Sequence, residues 1–557
     1  MPSFNLIDEP WIPCAPPGRE EPRLLSLRAA LTNAHEWQEI TDDSPLVVVA
    51  LHRLLLAILH RVYRGPHDVA EWHAMQAHGR FDAASIGSYL DEWMPSFDLF
   101  DAERPFYQVT EIEKTKANSV AILAHELASG NNLTLFDHST GASTAFTPAQ
   151  AARYLIAFQA FAMGGGKSEP FYLKDAPLAG DYMVLVRGDS LFETLLLNLM
   201  QYDKERPIRW LYKDDPPWWE RETHAVPDEG GTPPAGYLDY LTWQSRRVHL
   251  YYDEATGRVS NCQVRQNLAL GGDMLDPFES YRRSEERGWN PLRFSEGKAT
   301  WRDSHALLEQ ASNIMEGTTK RPEIFEWLAR TTTTSDGRPF GEKRRYSFDV
   351  LGYLKSPKQA LVILWRQDRL PLPLEYLTQR SLRDVLNAGI QLAEAVGTLF
   401  LGGFAKEGKN SFPRPLQVLG QELVAPSPGY EPDGRRMKGR GADSKALGNL
   451  IDHLEIQRSY WAALELHFHR FMVDLAEQWE NTGDDGEVAA LAEWARAVDR
   501  SAQRAFAVAT ASLDTNARVM QATALAEQAF SRQLSQRLDV GLAPYGLTTD
   551  TVRKGQS

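Results

Sequence analysis

Cysteine is almost absent from this sequence: Cys14 and Cys262 are the two in 557 residues, far apart and without a C-x-x-C or a His-rich companion run. That excludes a disulfide framework and argues against structural zinc, which needs closely spaced thiolates or imidazoles. Uninterrupted apolar runs are also missing. The most apolar stretch, PLVVVALHRLLLAILHRVY, is broken by His52, Arg53, His60 and Arg61, and it reads as an amphipathic helix rather than a membrane span. The opening residues, MPSFNLIDEPW, show neither the basic nor the apolar region of a secretory signal, so a cytoplasmic protein without a membrane partner is expected. Positive charge is in deficit, with 60 Lys and Arg against 74 Asp and Glu, a formal net charge of −14. Coating of nucleic acid by bulk electrostatics rests on Lys and Arg neutralising phosphates, so any nucleic-acid role must be local.

Three short stretches could supply such local charge. GEKRRYS holds Lys343, Arg344 and Arg345, SYRRSEERG holds Arg282 and Arg283, and DGRRMKGRG holds Arg435, Arg436, Lys438 and Arg440. The first two read equally as solvated loops. The third, with its interspersed glycines, reads as a mobile loop that grips a nucleic-acid backbone.

Catalytic signatures are lacking as well. H-E-x-x-H, G-x-S-x-G and EF-hand patterns do not occur, and no carboxylate pair stands out. His467 and His469 lie two apart inside a helical pattern, where they face different sides and cannot chelate one metal. No cofactor is called for, and nothing in the residues marks an enzyme.

What is present is the composition of a folded protein: 43% hydrophobic, 24% charged and 10% aromatic residues, with 15 Trp that serve as core anchors. The texture changes near residue 374. Residues 1–374 mix β-like runs (YMVLVRG, RRVHLYYD, QALVILWR) with helical segments and Pro-Gly turns, which predicts an irregular α+β domain. Residues 375–557 are dominated by helical periodicity. One long helix is expected from about Ser444 to Glu480, where Leu447, Ile451, Leu454, Trp461, Leu464, Phe468, Phe471, Leu475 and Trp479 form one apolar stripe. A further helix is expected after the NTGDDG turn and another after Asp514 as N-cap. With the helix in TQRSLRDVLNAGIQLAEAVGTLFLGGF, they predict a C-terminal four-helix bundle.

The stretch AFQAFAMGGGKSEPFYL ends like a phosphate-binding loop, with Gly166, Lys167 and Ser168 in the final positions of G-x-x-x-x-G-K-[ST]. Phe161, however, occupies the first glycine position. Upstream, Thr147 as N-cap and Pro148 at the first helical position predict a helix where that loop needs a strand. Downstream, Pro170 would fall in the first turns of the helix required there. A helix C-cap on Gly164 is the plainer alternative, but one glycine suffices for that. Three in a row describe a backbone that something must approach closely.

Three stretches resemble the large-subunit (CasA) family of type I-E CRISPR Cascade complexes: FNLIDEPWIPC, GGGKSEPFYLKDAPLAGDYMVLVRGDSLFETLLLNLM, and LGYLKSPKQALVILWR. Their order and spacing, and the α+β domain followed by a helical bundle, extend the resemblance over essentially the whole chain. The resemblance implies a reader and opener of duplex DNA with no bond-breaking chemistry. It also implies, as partners, CRISPR RNA, double-stranded target DNA, the other Cascade subunits and a nuclease-helicase effector. By the same resemblance, Gly164, Gly165 and Gly166, with Lys167 beside them, form a loop that enters the minor groove of the protospacer-adjacent motif. Gln359, flanked by Lys358 and Ala360, sits at the tip of a strand-separating hairpin, although Pro357 and an apparent extra residue alter the turn. Arg282 or Arg283 stands where the family reads the groove with a lysine. Asn131, Asn132 and Phe136 lie in the place of a loop that docks on the guide RNA and neighbouring subunits. The cysteine-rich insert of some relatives is missing, so no zinc is expected. A nucleotide-dependent enzyme using Lys167 and a purely structural subunit are the competing readings.

Overall fold

In a computed structural model of the protein, the apolar stretch after Ser44 forms a single helix, Pro45–Tyr63, ending at Arg64 in the left-handed conformation. This helix is not amphipathic as expected. Every residue from Pro45 to His60 is buried, and two of the polar positions, Arg53 and His52, bond partners inside the protein. Arg53 donates from Nη1 to Asp276 Oδ2 (2.8 Å) and from Nη2 to the Tyr240 carbonyl (3.2 Å), and His52 Nδ1 bonds the Val48 carbonyl (2.7 Å). The helix is long and apolar enough to cross a membrane, yet it lies within a protein core.

The structure describes residues 3–18, 20–110, 112, 117–127, 144–168, 171–201, 215–221, 226–272, 274–286, 288–309, 319–333, 346–357, 360–407, 410–424 and 444–554. They fall into two units: Met1–Thr300 with Glu309–Leu377, and Trp301–Leu308 with Thr378–Ser557.

The first unit is an α+β assembly of small sheets around the buried helix. Its central sheet runs Val362–Leu372, Tyr346–Lys355, Tyr182–Arg187, antiparallel throughout. Tyr182–Arg187 is buried along its whole length, as the run YMVLVR requires. A second sheet has Arg258–Gln266 at its centre, antiparallel to Arg246–Asp253 on one side and to Asn118–Ser119 on the other. A third pairs Tyr281–Ser284 with Gly288–Pro291 and Thr319–Lys320. Of the three runs read as strands from sequence, YMVLVRG and RRVHLYYD form strands over Tyr182–Arg187 and Arg246–Asp253, and QALVILWR becomes one from Val362 onward.

The second unit is helical. The helices Arg380–Gly397, Ile456–Thr482, Asp484–Ala511 and Ala517–Leu542 are its long elements, and Arg380–Gly397 packs against each of the other three. Leu464, Phe468, Phe471 and Leu475 of the expected stripe are buried. Phe471 stacks on Trp494 (centroids 5.3 Å apart, planes at 11°) and Phe506 on Phe530 (4.4 Å, 3°). Trp301 stacks on Phe468 (4.5 Å) and Arg302 forks onto Glu394 (2.7 and 2.8 Å), which is why Trp301–Leu308 groups here despite preceding residue 374.

Three helix boundaries differ from expectation. The long helix is two, Ser444–Leu454 and Ile456–Thr482, separated by Glu455 at φ 45°. The NTGDDG turn shrinks to Gly483, at φ 64°, with Asp484 already helical. The next helix is capped by Asn516, whose side chain accepts from the Val519 N–H, rather than by Asp514.

Candidate nucleic-acid interface

The helix feeding the glycines, Pro148–Phe161, starts as its sequence dictates. Thr147 accepts from the Gln150 N–H while the Gln150 side chain returns to the Thr147 N–H, a reciprocal cap that satisfies two otherwise orphaned donors. It ends at Phe161, and Ala162 is already non-helical (φ −57°, ψ 125°), so Gly164 is not its left-handed cap. Instead the chain enters a hairpin. Gly165 N–H donates to the Leu173 carbonyl (2.9 Å), Leu173 N–H to the Gly166 carbonyl (3.2 Å), and Lys167–Ser168 pairs antiparallel with Phe171–Tyr172. A helix before the glycines and a strand after them is the reverse of a phosphate-binding loop, so no helix N-terminus follows Lys167 to face a phosphate.

Each glycine has its own reason. A Cβ on Gly164 would lie 2.8 Å from the Asp175 nitrogen and 3.0 Å from the Lys174 carbonyl carbon, inside contact distance of backbone. Gly165 and Gly166 have φ of 107° and 81°, a region that L side chains rarely adopt. Both are exposed, and a Cβ on Gly166 would meet nothing within 4 Å.

The base of this hairpin stands on Arg246, a fully buried guanidinium that sequence reasoning missed. Its Nη2 donates to the carbonyls of Met163 (3.1 Å) and Lys174 (2.5 Å), one on each side of the loop, and its Nη1 to Gln266 Oε1 (3.2 Å). Burial lowers its pKa to about 10, opposed by the negative charge of Asp175.

The stretch LGYLKSPKQALVILWR forms the hairpin of Tyr346–Lys355 and Val362–Leu372, extended toward its tip by a bond from Ser356 N–H to the Leu361 carbonyl (2.8 Å). Tyr353 donates its hydroxyl to the Phe161 carbonyl (2.8 Å), joining this hairpin to the end of the feeding helix. Ala360, at the tip, lies beside Gly165: a Cβ on the glycine would be 3.9 Å from the Ala360 Cβ. Lys355 forms an ion pair with Asp175, whose other oxygen accepts from Gly164 N–H (2.7 Å). Neither residue carried a sequence signal, because the pair forms across 180 positions.

Arg282 and Arg283 lie exposed in Tyr281–Ser284, opposite Asn290 and Trp289, and as neighbours on a strand they face opposite sides of the hairpin. The base of that hairpin is tied to the central sheet by Val184 N–H donating to the Phe278 carbonyl (2.8 Å) and by the Arg293–Asp181 pair (2.6 Å). The structure therefore gathers the glycine loop, the long hairpin and the arginine hairpin on the first unit. Lys358, Gln359, Asn131, Asn132, Phe136, Lys343, Arg344, Arg345, Arg435, Arg436, Lys438 and Arg440 lie outside the described residues, as does the side chain of Lys167. Burial pushes the thiols of Cys14 and Cys262 up to about 12. Among the described residues, no group of three or more His, Cys, Asp or Glu is placed to hold a metal ion.

Residues 5–505 match the model of the family described as CRISPR-associated protein Cse1. The CRISPR-associated protein CasA/Cse1 of Thermus thermophilus is 33% identical over 543 residues, spanning 96% of this chain and 97% of that protein. A solved structure of Thermus thermophilus CasA (Cse1) superposes with a TM-score of 0.74 at 30% identity, covering 96% of this chain and 100% of that one. Thermobifida fusca Cse1 gives 0.78 at 24% identity, over 96% and 98% of the two chains. A chain of a CRISPR RNA-guided surveillance complex gives 0.70 at 20%, over 96% and 100%. The last two likenesses are of fold alone. With the family matched over most of its length and a relative one-third identical from end to end, this chain belongs to the CRISPR-associated Cse1 (CasA) family.

Proposed function

We propose that this chain is the large subunit of a type I-E, RNA-guided CRISPR surveillance complex. In this reading it recognises the protospacer-adjacent motif of duplex DNA through the minor groove and starts strand separation beside it. The observation that carries the reading is a pair of exposed, side chain-free residues, Gly165 and Gly166, the first of them beside Ala360 at the tip of a long hairpin. The minor groove is about 6 Å wide, so a backbone without side chains reaches its floor where a larger residue would not. Readout there separates A·T from G·C better than it separates orientations, so the loop tolerates several motifs.

The chain breaks no bonds in this scheme. Guide pairing reads the target, while the protein reads a short motif and nucleates the R-loop. Exchange of a DNA duplex for a guide heteroduplex is nearly balanced, so unstacking one step, worth a few kcal/mol, decides whether it begins. Gln359, Lys358 and Ala360 supply that wedge, and Arg282 or Arg283 supports the groove contact. The basic loops at 343–345 and 435–440 grip backbone, and Asn131, Asn132 and Phe136 dock on the guide RNA and neighbouring subunits. The net charge of −14 fits a subunit whose partners carry most phosphate contacts. The C-terminal helices, as a four-helix bundle, contact the small subunits and help to recruit the nuclease-helicase.

The test is Gly165→Asp in the reconstituted complex, measuring equilibrium binding to duplexes with and without the motif. A carboxylate aimed into the groove should cut motif affinity at least about tenfold, through repulsion and the unfavourable φ. Unchanged affinity would leave the chain a structural scaffold.

A further inference from the structure

Gly164, Asp175, Gly180 and Lys355 form one continuous arrangement between the glycine loop and the long hairpin. The Lys355 stem lies directly over Gly180: a Cβ there would be 2.9 Å from Lys355 Cγ and 3.0 Å from Cδ. Gly180 has φ 85°, so its backbone also favours glycine. Laid across it, the Lys355 ammonium meets the Asp175 carboxylate, with Lys355 22% and Asp175 48% exposed at the side chain. The other Asp175 oxygen takes the Gly164 N–H at 2.7 Å. One carboxylate thus bonds the first glycine of the loop and the last residue of the strand that leads to the hairpin tip. A charged acceptor makes both bonds stronger than neutral ones.

We infer that Asp175 is a positioning residue that ties the motif-reading loop to the strand-separating hairpin, so that a shift in one is transmitted to the other. The inference rests on the proposed function for its consequence in DNA recognition, but the tie itself is a property of the free chain. Arg246 fixes the loop's base from beneath through carbonyls, and Tyr353 fixes the hairpin's strand to the helix end. Asp175 is the link above these anchors, nearest the parts that would meet DNA. Strain imposed on Gly164 when the loop seats in a groove passes through one carboxylate to Lys355. From there to the tip lie only Ser356 to Gln359.

Two measurements test this. In the free chain, Lys355→Met keeps an apolar stem over Gly180 and removes the ammonium without touching the loop. Hydrogen exchange across residues 162–168 should then rise about two- to fivefold, the size expected for loss of one partly exposed ion pair. Asp175→Ala, which removes both bonds, should raise it by about tenfold. Exchange in the loop that is unchanged by Lys355→Met, in a protein with an unaltered unfolding midpoint, overturns the tie. If Lys355→Met does not fold, Asp175→Asn takes its place: its amide oxygen still accepts from Gly164 N–H, so raised exchange in the hairpin over 351–357 is expected, and none overturns the tie.

In the reconstituted complex, Lys355→Met should lower the ratio of affinities for motif-bearing and motif-free duplexes and slow opening at saturating DNA. A residue that only stabilises the fold would move neither ratio nor saturated rate. If Gly165→Asp abolishes motif binding while Lys355→Met leaves both readouts at the wild-type value, the tie's role is refuted and the groove reading stands. If Gly165→Asp is harmless, the groove reading fails and the exchange experiment alone decides the tie.

Discussion

The position of a Cβ on Gly165 is 3.9 Å from the Cβ of Ala360, so a side chain placed at the apex of the glycine loop would be in van der Waals contact with the tip of the long hairpin. That separation is within the about 3.5–4.5 Å range of Cβ pairs joined by disulfides. Gly165→Cys combined with Ala360→Cys should therefore cross-link on mild oxidation, read as a joined pair of peptides in a non-reducing digest. Cys14 and Cys262 should not compete, since both are buried with thiols pushed up to about 12. The φ of 107° at Gly165 strains a cysteine there, so the bond should be reduced more readily than an ordinary structural disulfide. Failure to cross-link would place loop and tip apart.

The proposed function assigns motif reading and strand separation to two different elements, the glycine loop and the hairpin tip, so the two steps should be separable by mutation. Gln359→Ala removes the side chain proposed to enter the duplex and leaves the glycine loop intact. Motif binding should persist, while permanganate reactivity of thymines next to the motif should appear about tenfold more slowly, equivalent to about 1.4 kcal/mol in the opening barrier. Equal opening rates would make the hairpin only structural.

Locally encoded features were legible in the sequence. Thr147 and Pro148 announce a helix start because capping involves neighbouring residues, and the run at Tyr182–Arg187 announces a strand by composition. What required the structure is non-local. The Pro45–Tyr63 helix looked amphipathic because Asp276 and Tyr240, which satisfy Arg53, lie about two hundred residues away in sequence. The break at Glu455 was hidden because the apolar stripe continues on both sides of it. At the candidate site, the resemblance supplied the glycines and the hairpin, whereas Arg246, Asp175 and Lys355 emerge only from folding.

The buried histidines predict acid sensitivity of the first unit. Burial lowers His60 to about 3, and burial with the nearby Arg187 charge lowers His52 to about 3, against 6.5 when unfolded. Between those values the unfolded chain binds more protons, so stability rises with pH. The contribution is complete above 6.5 and is lost as pH falls toward 3, at about 1.4 kcal/mol per pH unit for each group. His60 packs edge-on against Tyr237 at 5.2 Å, so His60→Phe preserves a ring while removing the titration. Between pH 6.5 and 5 the variant should lose about 2 kcal/mol less stability than the wild type. Parallel pH profiles of thermal unfolding would contradict this.

Glu455 offers a prediction whose sign is diagnostic. It holds φ 45° between Ser444–Leu454 and Ile456–Thr482, a conformation that costs a residue with a Cβ about 1–2 kcal/mol. Its ion pair with Arg458, 3.6 Å long and mostly exposed, contributes little in return. Glu455→Gly relieves the backbone and adds some freedom to the unfolded chain, for a net gain of about 0.5–1 kcal/mol. In a helical unit of this size that raises Tm by about 1–3 °C. Glu455→Ala should give no such gain, because alanine keeps the Cβ. Were the segment one continuous helix, the glycine would instead cost about 1 kcal/mol and lower Tm. The direction of the Glu455→Gly shift in calorimetry therefore distinguishes a broken helix from a continuous one.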